Sequence, residues 1–353
     1  MTAESVNDKL YRVARNGYPT IASIEVTAQC NAQCGYCYVK DSAVKELSTE
    51  QLCRAIDKLS KSGIIHLHIT GGEPFLRPDI LDILSFAIDC GFFYCTLFSN
   101  GILLNEKHLD FIIRNKDFFI QMQMSVFSHI PEKNDAYFGV PGAFDAILRN
   151  ALFLKNNGIG MALALSILDF NIDEIEETRN FFKNLDLPLL ISTNKIVPGP
   201  RIKSHLSSST TSSFFRKYLL SLPPDELDSH KKALKQSLES PGSESAELCF
   251  GRFDCVFINS QGDLAQCLAF RKMKLGSVFE DKSVHDILLA SKDYHAICNR
   301  KRTDIEKCSS CKFHNFCTIC LGAIHSESNS LDGINAPMCN YTQALYDLMS
   351  ESA

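Results

Sequence analysis

The residues of this chain best suited to chemistry are its cysteines. Cys30, Cys34 and Cys37 fall within eight residues, CNAQCGYC, with three and then two residues between the thiols. Three thiolates on one loop can hold three irons of a four-iron four-sulfur cluster and leave the fourth iron to a non-protein ligand, whereas a structural zinc site asks for a fourth protein ligand. Next comes Gly71-Gly72-Glu73-Pro74. Its glycines let a ligand approach the backbone closely, and Glu73 offers a carboxylate to a cation such as an ammonium group. A tight strand-to-helix turn is the plainer reading of the same four residues. A second thiol set comprises Cys249, Cys255, Cys267, Cys308, Cys311, Cys317, Cys320 and Cys339. Eight thiols suffice for two four-ligand sites, and spacing alone does not choose between zinc and iron-sulfur.

The elements that must position these groups alternate. Runs rich in Ile, Val, Leu, Phe and Thr predict strands at Ile21 to Thr27, Ile64 to Thr70, Tyr94 to Ser99, Phe119 to Val126, Met161 to Ile167 and Leu189 to Thr193. Amphipathic stretches lie between them: one opens on the capping-box pattern Ser48-Thr49-Glu50-Gln51 and closes at Gly63, one follows Pro78 and ends at Gly91, and one runs from Gly142 to Gly158. Six such units imply an α/β fold, a parallel sheet with helices outside, curled into a partial barrel or left open. Either geometry gathers functional groups at the C-terminal ends of the strands, where the cysteine loop, the Gly-Gly-Glu-Pro turn, Ser99 and Ser125 all fall. Serine-rich stretches at Ser204 to Ser213 and Glu239 to Glu247 flank a helical bridge that separates this body from the thiol-dense C-terminal segment.

Composition sets the surroundings. The chain has 353 residues, 45% hydrophobic and 22% charged, as expected of about two globular domains. A net charge of −5 leaves no basic excess for nucleic acid. The sequence has neither an apolar run of membrane-spanning length nor a secretory signal pattern, so a cytoplasmic protein without a membrane partner is expected. In a reducing compartment 15 cysteines must be ligands, catalysts or buried small hydrophobes, and the odd total argues against a closed set of disulfides.

The cysteine spacing together with the GGEP turn resembles the radical S-adenosylmethionine superfamily, and the C-terminal cysteines resemble its SPASM extension, which carries two auxiliary four-iron four-sulfur clusters. The resemblance covers the chain from about Ile21 to Leu348. It implies a partial (β/α)6 TIM-like barrel followed by a small Cys-rich α+β SPASM domain, partitioned as a lead-in (1–20), the barrel (21–205), the bridge (206–248), the auxiliary-cluster domain (249–348) and a tail (349–353). It implies that Cys30, Cys34 and Cys37 ligate the cluster that binds S-adenosylmethionine, that Tyr36 stands near the adenine, and that Glu73, within Gly71-Gly72-Glu73-Pro74, binds the methionine amino group. Ser99 and Ser125 match strand-end positions that contact the cofactor's ribose or carboxylate. Cys249, Cys255, Cys267 and Cys320 are implied for the first auxiliary cluster; Cys308, Cys311, Cys317 and Cys339 are implied for the second. Leu268 stands where sulfatase-maturing relatives carry a proposed Asp base, which argues against formylglycine formation.

Four cysteines remain. Cys53, Cys90 and Cys95 read as core residues of predicted helices and a strand, while Cys298 is the one candidate thiol hydrogen-atom donor. The ten histidines show no ligand-like spacing, and His66 and His68 read as two residues on one strand face. What the resemblance implies is hydrogen-atom abstraction by a 5′-deoxyadenosyl radical, with a ribosomally made peptide, oxidatively crosslinked, as the leading substrate. An electron donor such as flavodoxin or ferredoxin is expected. With 29 residues before Cys30, a separate peptide-recognition protein is expected too. The alternatives are an epimerase or dehydrogenase acting on an amino acid or sugar, and a zinc-stabilised binding protein.

Overall fold

The computed structural model describes residues 18–39, 45–192, 211–239, 248, 254–317 and 319–351. Cys249 lies outside them, as do most of the lead-in and of both serine-rich stretches. Six parallel strands form where the apolar runs predict them: β1 (Ile21–Glu25), β2 (His66–Thr70), β3 (Tyr94–Ser99), β4 (Phe119–Val126), β5 (Met161–Ser166) and β6 (Leu189–Ser192). The helices of this half are α1 (Thr49–Lys61), α2 (Ile80–Asp89), α3 (Glu106–Arg114), α4 (Pro131–Phe138), α5 (Ala143–Asn156) and α6 (Ile175–Asn184). Ser48 caps α1 as its sequence requires, its hydroxyl accepting from the Gln51 amide while the Gln51 side chain accepts from the Ser48 amide. Alternation along β2 puts Leu67 and Ile69 against the helices, where they meet Leu52, Ile56, Leu59, Ile83 and Leu84 in one core. His66, His68 and Thr70 face the lumen of the partial barrel, half-buried.

The sheet does not stop at β1. Beyond the bridge helices α7 (Ser212–Leu220) and α8 (Pro224–Glu239), strand β7 (Cys255–Ile258) pairs parallel with β1, Ile21 opposite Cys255. Then β8 (Asp263–Ala265) and β9 (Gly276–Ser277) add antiparallel, giving nine strands in the order β6-β5-β4-β3-β2-β1-β7-β8-β9. The thiol-dense segment therefore continues the barrel's own sheet. Its later helices are α9 (Val284–Ala290), α10 (Lys292–Asn299), the short α11 (Glu306–Ser309), α12 (Leu321–Ser328) and α13 (Ala336–Ser350). Leu345 and Leu348 of α13 pack with Phe215 and Leu219 of α7 and with Ile172 and Ile175, binding the bridge to the barrel. Phe257, Phe270, Ile297, Ile305, Leu321 and Ile324 form the core of the last third. Among the described residues no helix is long and apolar enough to cross a membrane.

Candidate active site at the mouth of the barrel

The chain leaves β1 through Thr27, Ala28 and Gln29 into the cysteine loop, and internal bonds fix its course. Glu46 accepts from the Thr27 hydroxyl at 3.0 Å and from the Ala28 amide at 2.6 Å. The Gly-Gly-Glu-Pro turn after β2 zips onto the same stretch, Gly72 N donating to Thr27 O and Glu73 N to Gln29 O, both at 2.8 Å. This close approach explains the glycines: a Cβ on Gly71 would stand 2.5 Å from Thr27 O, and one on Gly72 2.0 Å from Gln29 O. Arg77 completes the support, donating to Val26 O and Leu47 O and pairing with Asp79.

Glu73 is wholly buried, and its carboxylate turns inward. It accepts from the Phe75 amide at 3.0 Å, the Ser99 hydroxyl at 2.8 Å and the Asn100 amide at 2.7 Å. Burial pushes its pKa up to about 7 against the pull of those three donors. The carboxylate thus braces the turn after β3, and the Ser99 hydroxyl is committed to it. Pro74 is buried at the start of a single 3-10 turn, Pro74–Leu76. Asn100 does more than the sequence disclosed, its side-chain amide donating to Asn31 Oδ1 at 2.8 Å and reaching Cys30 Sγ at 3.8 Å. The Ala32 amide also points at Cys30 Sγ, at 3.4 Å. N–H groups aimed at a sulfur suit a thiolate ligand, so this donor set fits an iron-sulfur centre.

The three thiols, Tyr36, Gly71, Gly72, Ser99, Asn100 and Ser125 meet on one cavity of about 350 Å³. Ser23, His68, Phe98 and Gln123 line it from the lumen; Phe257 and Leu268 close it from the C-terminal segment. Ser125 and Ser166 stand near enough to the Tyr36 hydroxyl to act on it, and Ser125 lines the cavity itself. His68 bonds Ser23 at 3.2 Å and meets His66 edge to face at 4.4 Å; burial, then the neighbouring His66, draws its pKa down to about 4. Cys298 is not brought to this cavity. It sits 9% exposed on α10 in the core, away from the residues that line the cavity. Cys95 is buried in β3, and Cys53 and Cys90 pack partly buried beside the helices.

In the C-terminal segment Cys308, Cys311, Cys317 and Cys339 lie near enough for their charges to act on one another. Continuing the β7–β8 register sets Cys255 across from Cys267, and the Cys255 thiol donates to the Gln266 carbonyl at 3.6 Å. Cys320 opens α12, whose Gly322 packs on Ala269. Among the described residues no three His, Cys, Asp or Glu side chains close to metal-ligating geometry. What the chain supplies is the placing of thiols and donors. No sequence pattern announces the pair Glu25 and Arg271: Arg271 donates to both carboxylate oxygens of wholly buried Glu25, at 3.1 and 2.9 Å, and its guanidinium lies over the Tyr38 ring.

Known proteins agree with this architecture. A 307-residue stretch, 86% of this chain, is 25% identical to the antilisterial bacteriocin subtilosin biosynthesis protein AlbA of Bacillus subtilis (strain 168), covering 67% of that protein. An AdoMet-dependent heme synthase of Oleidesulfovibrio alaskensis is 23% identical over 97% of this chain and 92% of its own length. The crystal structure of Streptococcus suis SuiB bound to the precursor peptide SuiA shares the fold with a TM-score of 0.70, at 18% identity, over 94% of this chain and 80% of SuiB. Residues 24–182 match the model of the Radical SAM superfamily, and residues 249–312 match the SPASM iron-sulfur cluster-binding domain. Over these two stretches, together more than half of its length, the chain belongs to the radical S-adenosylmethionine superfamily and carries a SPASM domain.

Proposed function

We propose that this chain oxidatively modifies a ribosomally made peptide at the cavity where Cys30, Cys34 and Cys37 meet the two glycines. Those thiolates would hold three irons of a four-iron four-sulfur cluster, with S-adenosylmethionine bound beside it in the same cavity. When bound, cluster and cofactor supply a 5′-deoxyadenosyl radical able to take a hydrogen atom from an unactivated carbon. The chain's own residues do the rest. The Ala32 amide and Asn100 side chain stabilise the Cys30 thiolate, Gly71 and Gly72 keep the loop close, and Glu73 acts as a positioning residue through Ser99 and Asn100. Tyr36 and Ser125 form the cofactor-side wall, and Phe257 and Leu268 exclude water. Cys249, Cys255, Cys267 and Cys320 hold one auxiliary cluster, and Cys308, Cys311, Cys317 and Cys339 the other.

The observation that carries this reading is the convergence of three thiols, Cys30 among them with two N–H groups aimed at its sulfur, on one cavity. The peptide class is supported by AlbA, a bacteriocin biosynthesis protein, and by SuiB, which binds a precursor peptide on the same fold. A flavodoxin or ferredoxin as electron donor, a separate recognition protein and a cytoplasmic location belong to the same proposal. The end-to-end match to a heme synthase favours a second reading, oxidation of a small molecule. Reduced enzyme incubated with S-adenosylmethionine and a peptide encoded beside its gene should return the peptide lighter by two hydrogens. Unchanged peptide alongside turnover of a small metabolite would select the second reading. Replacing Cys30, Cys34 and Cys37 by Ala should leave about eight of about 12 irons, four per site, and abolish cofactor cleavage.

A further inference from the structure

Arg302 lies in the single turn ahead of α11, six residues before Cys308, and is only 8% exposed. One of its terminal nitrogens donates to the Cys317 carbonyl at 2.8 Å. Its Nε is buried without an acceptor, and no carboxylate pairs with it, among the described residues. Arg300, two residues earlier, also has an Nε without an acceptor, but it differs in pairing with Asp332. A buried guanidinium lacking a counter-ion costs several kcal/mol, so it persists where negative charge faces it. The groups around it are thiols: its bond to the Cys317 carbonyl sets it against that residue, and the turn it sits on runs straight into the helix that carries Cys308. A second orphan donor stands on the other flank. Asn335, 3% exposed, caps α13 one turn before Cys339; its Oδ1 accepts from the Met338 amide, while its buried Nδ2 has no acceptor among the described residues. Two buried N–H groups without an acceptor among the described residues, one beside the helix of Cys308 and one at the start of the helix of Cys339, fit a centre whose sulfurs accept.

We propose that Arg302 is the counter-charge of an anionic iron-sulfur centre held by Cys308, Cys311, Cys317 and Cys339, and that it sets the reduction potential of that centre. This rests on the proposed function only in taking those four thiols as one iron-sulfur centre. Reduction adds one negative charge to the centre, and a fixed cation beside it stabilises the reduced form, raising the potential. Asn335 lends a neutral N–H to the same end.

The test compares the full-length, anaerobically purified protein with Arg302→Met and Arg302→Lys by iron analysis and by a redox titration followed by electron paramagnetic resonance. Arg302→Met should keep about 12 irons and shift one midpoint to more negative potential by a tenfold change in the reduced-to-oxidised ratio or more, ~59 mV for one electron. Arg302→Lys should stay nearer the parent. Loss of about four irons in the Met variant alone supports the same role, because the charge then holds the centre in place. Full iron with every midpoint unchanged in Arg302→Met overturns the proposal. Equal loss in both variants also overturns it, since shape rather than charge would then matter. A parent protein lacking the second auxiliary centre, or holding zinc there, overturns it too, while irons at Cys30, Cys34 and Cys37 leave the proposed function standing.

Discussion

Arg271 grips Glu25 by both carboxylate oxygens, joining the last residue of β1 to the turn that follows Cys267. Glu25 has no exposure to solvent and Arg271 little, so removing either leaves a buried charge unmatched. Arg271→Met should destabilise the protein by about 3–5 kcal/mol. The double variant Glu25→Gln with Arg271→Met should cost clearly less than the sum of the two single changes. Urea midpoints of the four proteins check this, and strict additivity would mean that the pair is not coupled.

Gly72→Ala should be among the most damaging small substitutions in the chain. The added methyl meets the Gln29 carbonyl at 2.0 Å, and that atom is backbone fixed by the Glu73 amide, so something must shift. We expect a cost of about 3 kcal/mol and loss of iron from the cysteine loop first. Iron analysis alongside a thermal melt would read both, and a variant with full iron and an unchanged melting temperature would contradict the zipped-turn account.

Glu73 and His68 give stability opposite slopes with pH. With Glu73 near 7 when folded and 4.5 when unfolded, the folded state binds more protons between those values; stability falls as pH rises through that window and levels off above it. The ionised carboxylate therefore costs about 3 kcal/mol at pH 8. Glu73→Gln should remove that slope and loosen the Ser99–Asn100 turn, whose amide and hydroxyl lose a charged acceptor.

For His68 the sign reverses. Its folded value near 4 lies below the ordinary 6.5, so the folded state binds fewer protons between the two; stability rises with pH through that window and is complete above it. His68→Gln, neutral throughout, should steepen the net fall in stability between pH 4.5 and 6.5 by removing the opposing slope. Denaturation midpoints at several pH values decide both cases, and curves parallel to the parent's would rule the assignments out.

Much of the site could be read from local pattern. Strand positions follow from apolar runs, α1 from its capping box, and the thiol loop from its spacing, because each signal is contained in a few neighbouring residues. Partners distant in sequence are another matter. GGEP announces a turn, but nothing in those four letters says that the body pressed against them is the backbone of Thr27 to Gln29, or that Glu73 faces inward to Ser99 and Asn100. Glu46, Arg77 and Asn100 look like ordinary polar surface residues until folding sets them around the loop. Cys298 carried a chemical reading because its reactivity is visible in the sequence while its burial on α10 is not. Helix α4 has local signals of its own, Pro131 at its first position and Gly139, left-handed, at its end, though its apolar spacing is too weak to announce it.

The pairing of β7 with β1 also dictates an order of events during synthesis. β1 leaves the ribosome long before β7, because the neighbour that covers its outer hydrogen-bonding side is more than two hundred residues further along the chain. Until residues 255–258 arrive, β1 is an open edge, competent to pair with another chain. Closure waits on a contact of large sequence separation, which makes it late and slow. A nascent chain halted before Cys255 therefore exposes a sticky border that the finished protein hides, and expression at low temperature or with holdase chaperones should raise the soluble yield.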